Sequence, residues 1–96
     1  MPSVSILQTE RKCYVCGGVN NLALHHCIYG TGKRALSERE GLTIWLCYKH
    51  HNGSDDGVHF NKELDLRIKQ MAQQEWLSQH NNNLDQWMKI FRRNYL

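Results

Sequence analysis

The sequence lacks any long apolar run, and this absence excludes two kinds of segment. No stretch approaches the ~18–20 consecutive apolar residues that cross a bilayer as a helix. The opening segment, MPSVSILQTERK, also lacks the apolar core that a secretory signal requires. We therefore expect a soluble, cytoplasmic protein with no membrane partner, folded as a single domain over residues 1–96.

Charge of either sign is modest as well. The 12 Lys and Arg residues against 9 Asp and Glu give a net charge of +3, which permits a nucleic-acid partner without requiring one. Domains of this size have a small core and often contain a disulfide or a metal ion. Because cytoplasmic thiols stay reduced, the 4 cysteines favour metal binding over disulfide formation.

Two four-residue motifs, CYVC and CYKH, have the same ligand spacing. A gap of two residues lets both side chains of a motif reach one ion, and structural zinc prefers four thiolate or imidazole ligands. The predicted ligands of a structural Zn²⁺ ion are Cys13, Cys16, Cys47 and His50. Two alternatives remain: His51 replaces His50, or Cys27 completes an all-cysteine site. Otherwise Cys27 is expected to be a small buried residue.

The residue pattern predicts an α+β fold, in which a zinc-stapled β-hairpin is followed by helices. Residues 21–29 and 42–47 are rich in apolar, β-branched or aromatic side chains and are predicted strands. Residues 30–41 are polar and bounded by glycine, which is typical of a loop or a short helix. Residues 48–58 contain Asn-Gly and Asp-Gly pairs, so turns are expected there.

From Asn61 the apolar pattern becomes helical, with Asn61 as the predicted N-cap. The first apolar stripe consists of Leu64, Ile68, Met71, Ala72 and Trp76. Asn83 is predicted to cap a second helix. Its stripe consists of Leu84, Trp87, Met88, Phe91 and Tyr95. The domain thus divides into a metal and histidine motif over residues 13–61 and a C-terminal helical extension over 61–96.

Between residues 25 and 59, four histidines remain once the zinc shell is complete: His25, His26, His51 and His59. Phosphodiester hydrolysis uses such a set, because some imidazoles hold a divalent ion while another deprotonates the attacking water. Neighbouring side chains on a regular strand face opposite ways, but a twisted strand end can present His25 and His26 to one cleft. The alternative is that these histidines are hydrogen-bonded core side chains.

The stretch LHHCIYGTG, a strand ending in LC, and the following YKHH together resemble the HNH nuclease family, also called ββα-metal or His-Me finger. GVHFN and the closing RNYL resemble its small phage and prophage members. The resemblance implies a metal-dependent DNA endonuclease with His26 as general base and His25 as a ligand of the catalytic ion. His51 matches the final histidine of the motif, and His59 is a second candidate for that ligand.

The chain departs from the family at the middle position of the motif, where many members have Asn before the second strand. Here Glu40, Gly41 and Leu42 occupy that region. The family's Asn usually orients the base or its loop, so we expect that support from another group, such as a backbone carbonyl. The catalytic ion is left open among Mg²⁺, Mn²⁺, Ni²⁺ and Zn²⁺.

Lys33, Arg34 and Arg39 lie between the predicted strands, close in sequence to the paired histidines. They are candidate contacts to DNA phosphates, the alternative being an ordinary solvated loop. No base-reading helix is evident, so we expect weak sequence specificity. Because double-strand cutting needs two active sites or two events, a homodimer or a larger partner is plausible, and the resemblance implies phage packaging or recombination proteins.

A second interpretation keeps the zinc site but has no catalysis. The protein would then be a zinc-binding adaptor for nucleic acid or protein. Metal content separates the two interpretations, since the adaptor would hold one ion tightly and the nuclease two ions of different lability.

Overall fold

The computed structural model describes residues 5–53, 57–58 and 61–96, and within these ranges it is a small α+β fold. Two strands form one antiparallel sheet: β1 (Leu22–His26) and β2 (Thr43–Cys47). The helices are α1 (Lys33–Glu40), α2 (Tyr48–Asn52), α3 (Lys62–Gln79) and α4 (Leu84–Phe91). The predicted order of a hairpin followed by helices is therefore confirmed, with α1 inserted between the two strands.

The strand register brings the paired histidines to one end of the sheet. His25 lies opposite Ile44, and His26 lies opposite Thr43 at the last position of β1. One further backbone hydrogen bond, from Cys27 N to Leu42 O at 3.0 Å, continues the pairing just beyond that strand. The histidines therefore sit where the regular ladder ends and the chain turns away.

The N-terminal segment covers the outer edge of β2, which would otherwise present unpaired backbone groups to solvent. Ile6 N donates to Gly41 O at 2.9 Å, and the Gln8 side chain accepts from Trp45 N at 2.8 Å. Further along, Tyr14 N donates to Trp45 O at 2.8 Å. These contacts lead the chain along β2 to the predicted zinc ligands.

Helix α1 resolves the choice between loop and short helix over residues 30–41. Gly32 and Gly41 flank the helix with φ of 77° and 75°, a left-handed conformation that glycine adopts without strain. Ser37 is fully buried, and its hydroxyl accepts from Ile28 N at 3.1 Å and donates to Ile28 O. Ser37 thus fixes the position and orientation of α1 relative to the end of β1.

The prediction of turns throughout residues 48–58 is wrong at its start, because Tyr48–Asn52 form the short helix α2. No glycine or proline interrupts YKHHN, so the chain can coil directly after β2, and Gly53 N closes the turn on Lys49 O at 3.0 Å. Consecutive residues of a helix point about 100° apart. His50 and His51 therefore face different neighbours.

Both predicted asparagine caps are confirmed. The Asn61 side chain accepts from Leu64 N at 3.1 Å, and the Asn83 side chain accepts from Gln86 N at 3.1 Å. Each bond satisfies one of the backbone donors left open in a first helical turn.

The prediction that Tyr95 continues the stripe of the second helix is wrong, because α4 ends at Phe91 and Arg92 adopts a φ of 60°. Tyr95 is nevertheless buried. Its backbone N donates to the side chain of the fully buried Gln73 at 2.7 Å, and Gln73 in turn donates to Asn94 at 2.8 Å. The C-terminal tail is therefore fixed to α3 by side-chain hydrogen bonds.

One continuous core joins the sheet to the C-terminal helices. Trp76 of α3 packs edge-on against Trp87 of α4, and its indole N–H donates to Glu40 of α1 at 2.9 Å. The fully or nearly fully buried apolar side chains are Cys13, Cys27, Ile28, Leu42, Ile44, Leu46, Val58, Ile68, Ala72, Trp76, Trp87, Phe91 and Tyr95. Helix α1 is attached to this core through Ser37, which bonds to the backbone of Ile28, and through Glu40, which bonds to the indole of Trp76. None of the helices in the described ranges has the length and apolar character needed to cross a membrane.

Candidate metal cluster and histidine pocket

The four sequence-predicted zinc ligands converge in space. The ligand atoms of Cys13, Cys16, Cys47 and His50 all lie within 4.8 Å of one another. Cys16 Sγ is 3.7 Å from Cys47 Sγ, and His50 Nδ1 is 3.7 Å from Cys13 Sγ and 3.2 Å from Cys47 Sγ. Among the described residues this is the one group of three or more potential metal ligands.

Two of these separations match a tetrahedral zinc shell, and the third, 3.2 Å between Cys47 Sγ and His50 Nδ1, is shorter than the ideal value. With Zn–S near 2.3 Å and Zn–N near 2.05 Å, ideal geometry places two sulfurs about 3.8 Å apart and a sulfur and a nitrogen about 3.6 Å apart. The cluster, which we call the Cys3His cluster, could therefore hold a metal ion such as zinc with little rearrangement. His50 would bind through Nδ1.

The backbone of the first motif favours metal binding. Cys13 N donates to Gly18 O at 2.7 Å, and Gly17, with φ of 76°, donates to Cys13 O at 2.8 Å, which closes a tight turn around Cys16. Burial opposes ionisation of Cys13, but hydrogen bonds from the amides of Cys47, Cys16 and Val15 outweigh it and lower the pKa of the thiol to about 6. A thiolate is the form that binds zinc.

Neither alternative ligand joins the Cys3His cluster. His51 turns toward His25, with ring centroids 5.5 Å apart at 71°. Cys27 is fully buried, and burial raises the pKa of its thiol, with the Asp65 carboxylate adding to the effect. The expectation that Cys27 is a small buried residue is confirmed.

A separate pocket gathers three further histidines. Its lining consists of Leu24, His25, His26, Tyr29, Arg34 and His51. His25 is 2% exposed, whereas His26 and His51 are half-buried. The end of β1 thus presents two adjacent imidazoles to one cavity, and α2 adds a third. We call this cavity the histidine pocket.

One element, α2, contributes a side chain to both the Cys3His cluster and the histidine pocket. Cys47 ends β2 and His50 faces the Cys3His cluster, while His51, the next residue of α2, faces the histidine pocket. A metal in the cluster would therefore fix the helix that carries His51. His59, the other predicted ligand of a catalytic ion, lies outside the described residues.

The three predicted phosphate contacts occupy different places on α1. Arg34 lines the histidine pocket. Arg39 is exposed and donates from Nε to Glu40 at 3.0 Å, while Lys33 is half-buried at the first position of the helix. Arg34 is therefore the cation best placed to meet an anion bound among the histidines.

Two further side chains lie beside the histidines, and no sequence pattern indicated that they would. Tyr29 packs edge-on against His25 at 5.8 Å, and its hydroxyl donates to Asp65 of α3 at 3.1 Å. Burial, with the Asp65 charge, raises the pKa of Tyr29 to about 12, so the phenol stays protonated. Glu38 of α1 lies beside His26, with Oε2 3.4 Å from Nε2.

Comparison with models of known protein families, with curated proteins and with solved structures found no match. The resemblance to the HNH family therefore stays a prediction based on the motif. What can be argued about function comes from the arrangement of the side chains.

Proposed function

We propose that this protein is a metal-dependent endonuclease that hydrolyses DNA phosphodiester bonds, with the histidine pocket as its active site and Zn²⁺ in the Cys3His cluster as a structural ion. The observation that carries the proposal is one pocket lined by His25, His26, His51 and Arg34. A structural zinc site accounts for the Cys3His cluster but gives no reason for three more imidazoles beside an arginine.

His26 acts as the general base. A neutral imidazole has a proton-accepting nitrogen, so it can take a proton from the attacking water. The oxygen of that water attacks phosphorus while the bond from phosphorus to the 3′-oxygen breaks. Arg34 pairs with a non-bridging phosphate oxygen and holds the backbone in place.

His25 and His51 are suited to hold the second, catalytic ion. Two imidazoles that bind one ion at ~2.1 Å in tetrahedral geometry place their ring centroids about 5.3 Å apart, and these two lie 5.5 Å apart. Such an ion supplies stabilisation of charge on the phosphate and on the leaving 3′-oxygen. Tyr29, packed on His25 and bound to Asp65, restrains the first ligand.

The test is nicking of supercoiled plasmid by zinc-loaded protein in Mg²⁺, Mn²⁺, Ni²⁺ or Zn²⁺. We expect His26→Ala to lower the nicking rate about 100-fold or more at saturating metal, because a general base contributes about 10²–10⁴-fold. His25→Ala and His51→Ala should instead raise the metal concentration needed for half-maximal rate. His80→Ala, at the residue just after α3 and outside the histidine pocket, is the matched control; with its fold checked by melting, it should cut like the wild type.

A wild-type protein that is folded and zinc-loaded but cuts with none of the four ions would overturn the proposal. Retention of one tightly bound ion and DNA binding in that experiment would favour the adaptor instead. Cutting that survives in His26→Ala would refute the assignment of the base.

A further inference from the structure

We propose that Glu38 is a positioning residue for His26, accepting a hydrogen bond from Nε2 so that Nδ1 is the nitrogen left to take a proton from water. The inference rests on the proposed endonuclease function and names a part of its active site that the sequence motif does not contain. In neutral imidazole one nitrogen carries the proton and the other accepts, so fixing the donor fixes the acceptor.

The contact joins His26 Nε2 and Glu38 Oε2 at 3.4 Å, with 22% and 39% of the respective side chains exposed. This separation is at the long end for a hydrogen bond. Hydrogen bonds of catalytic side chains are often long without substrate and tighten in the complex, so the contact is expected to shorten when DNA is bound. Glu38 would then stabilise the imidazolium that forms as water is deprotonated.

The fold holds Glu38 in this place. The preceding residue, Ser37, is fully buried and bonded to the backbone of Ile28, which lies two residues beyond His26. Two residues after Glu38, Glu40 accepts from the indole of Trp76 at 2.9 Å. Helix α1 is therefore attached on both sides of Glu38, which fixes the backbone position from which the carboxylate reaches His26.

One face of α1 carries both charged side chains proposed for the reaction, one positive and one negative. Arg34 and Glu38 are four residues apart on α1, a spacing that places side chains next to each other. Arg34 lines the histidine pocket and Glu38 contacts its proposed base. Glu38 thus provides the orientation that the motif's missing Asn would be expected to give.

The first test is spectroscopic and independent of cleavage. In zinc-loaded protein with labelled histidine, the proton on His26 Nε2 should exchange slowly with water because it is hydrogen-bonded. Glu38→Ala should speed that exchange at least about tenfold, while Glu38→Gln, which keeps an acceptor oxygen, should restore most of the protection. Alanine favours helix, so the variant should fold, and its melting curve checks this.

The second test is kinetic. We expect Glu38→Ala to lower kcat about 10-fold or more with little change in KM for DNA, since loss of a group that orients an active-site histidine costs about 10–100-fold. Glu38→Gln should recover part of kcat. The matched control is Glu63→Ala, which removes the same charge from an exposed ion pair with Arg67 on α3 and should change neither constant.

Equal exchange rates in the wild type and Glu38→Ala would overturn the inference, as would an unchanged kcat. If exchange depends on Glu38 but the wild type cuts no DNA with any ion, the contact stands and the endonuclease proposal is the part that fails.

Discussion

Loss of the metal from the Cys3His cluster should unfold this protein rather than merely loosen one end. The perturbation is removal of a ligand, Cys47→Ser, or removal of the ion by a strong chelator. Cys47 is the ligand that joins β2 to α2, and its sulfur lies within 3.7 Å of both Cys16 Sγ and His50 Nδ1. Without the ion, three thiols and an imidazole face one another with no cation to hold them together.

The magnitude follows from the size of the chain. A domain of 96 residues has a total stability of about 5–14 kcal/mol at ~0.05–0.15 kcal/mol per residue. Structural zinc contributes about 10–16 kcal/mol of apparent binding free energy at neutral pH. Even a loss of ~4 kcal/mol would lower Tm by roughly 16–32 °C in a domain of this size. We therefore expect no cooperative melting transition above room temperature.

The assay is thermal melting by circular dichroism with zinc content measured on the same samples. Cys27→Ala is the matched control, because it removes a buried cysteine outside the cluster. It should keep one zinc ion per chain and lose only the ~1–2 kcal/mol of a small buried side chain. A chelated, zinc-free protein that melts cooperatively at the wild-type temperature would refute the reasoning.

Two further outcomes test other parts of the structure. Arg34→Ala should weaken DNA binding and reduce the slope of log K against log salt by about 1, whereas Arg67→Ala, at an exposed residue of α3, should leave the slope unchanged. Fluorescence anisotropy over a salt series measures both slopes, and equal slopes for the two variants would count against Arg34 as a phosphate contact. Gln73→Leu should lower the free energy of unfolding by about 2–3 kcal/mol, because it leaves Tyr95 N and the Asn94 side chain without their buried partner. Urea denaturation measures the change, and a decrease below ~0.5 kcal/mol would show that the C-terminal tail does not depend on Gln73.

Local patterns predicted the parts of the fold that local chemistry determines. The two asparagine caps and the apolar spacing of α3 depend on residues within one or two turns, so they can be read from the chain. The Cys3His cluster was predictable for the same reason, since each motif brings two ligands to one ion. The choice of His50 over His51 depended on α2, whose orientation directs these neighbours to different sites.

Long-range contacts account for what was missed. Glu38 and Tyr29 carry no motif of their own, and their proximity to His26 and His25 follows from how Ser37 and Asp65 attach α1 and α3. Tyr95 satisfied the helical spacing, but the left-handed Arg92 ends α4 before it. Such features depend on which surfaces pack together, and single-sequence periodicity does not report them.

The endonuclease proposal is tested most directly by the plasmid-nicking rate of wild type and His26→Ala at equal zinc content and saturating divalent metal. We expect metal-dependent nicking by the wild type and a rate at least about 100-fold lower in the variant, with identical melting curves. Equal rates would remove His26 as the base, and no nicking by the folded wild type would contradict the assignment of the histidine pocket as a nuclease site.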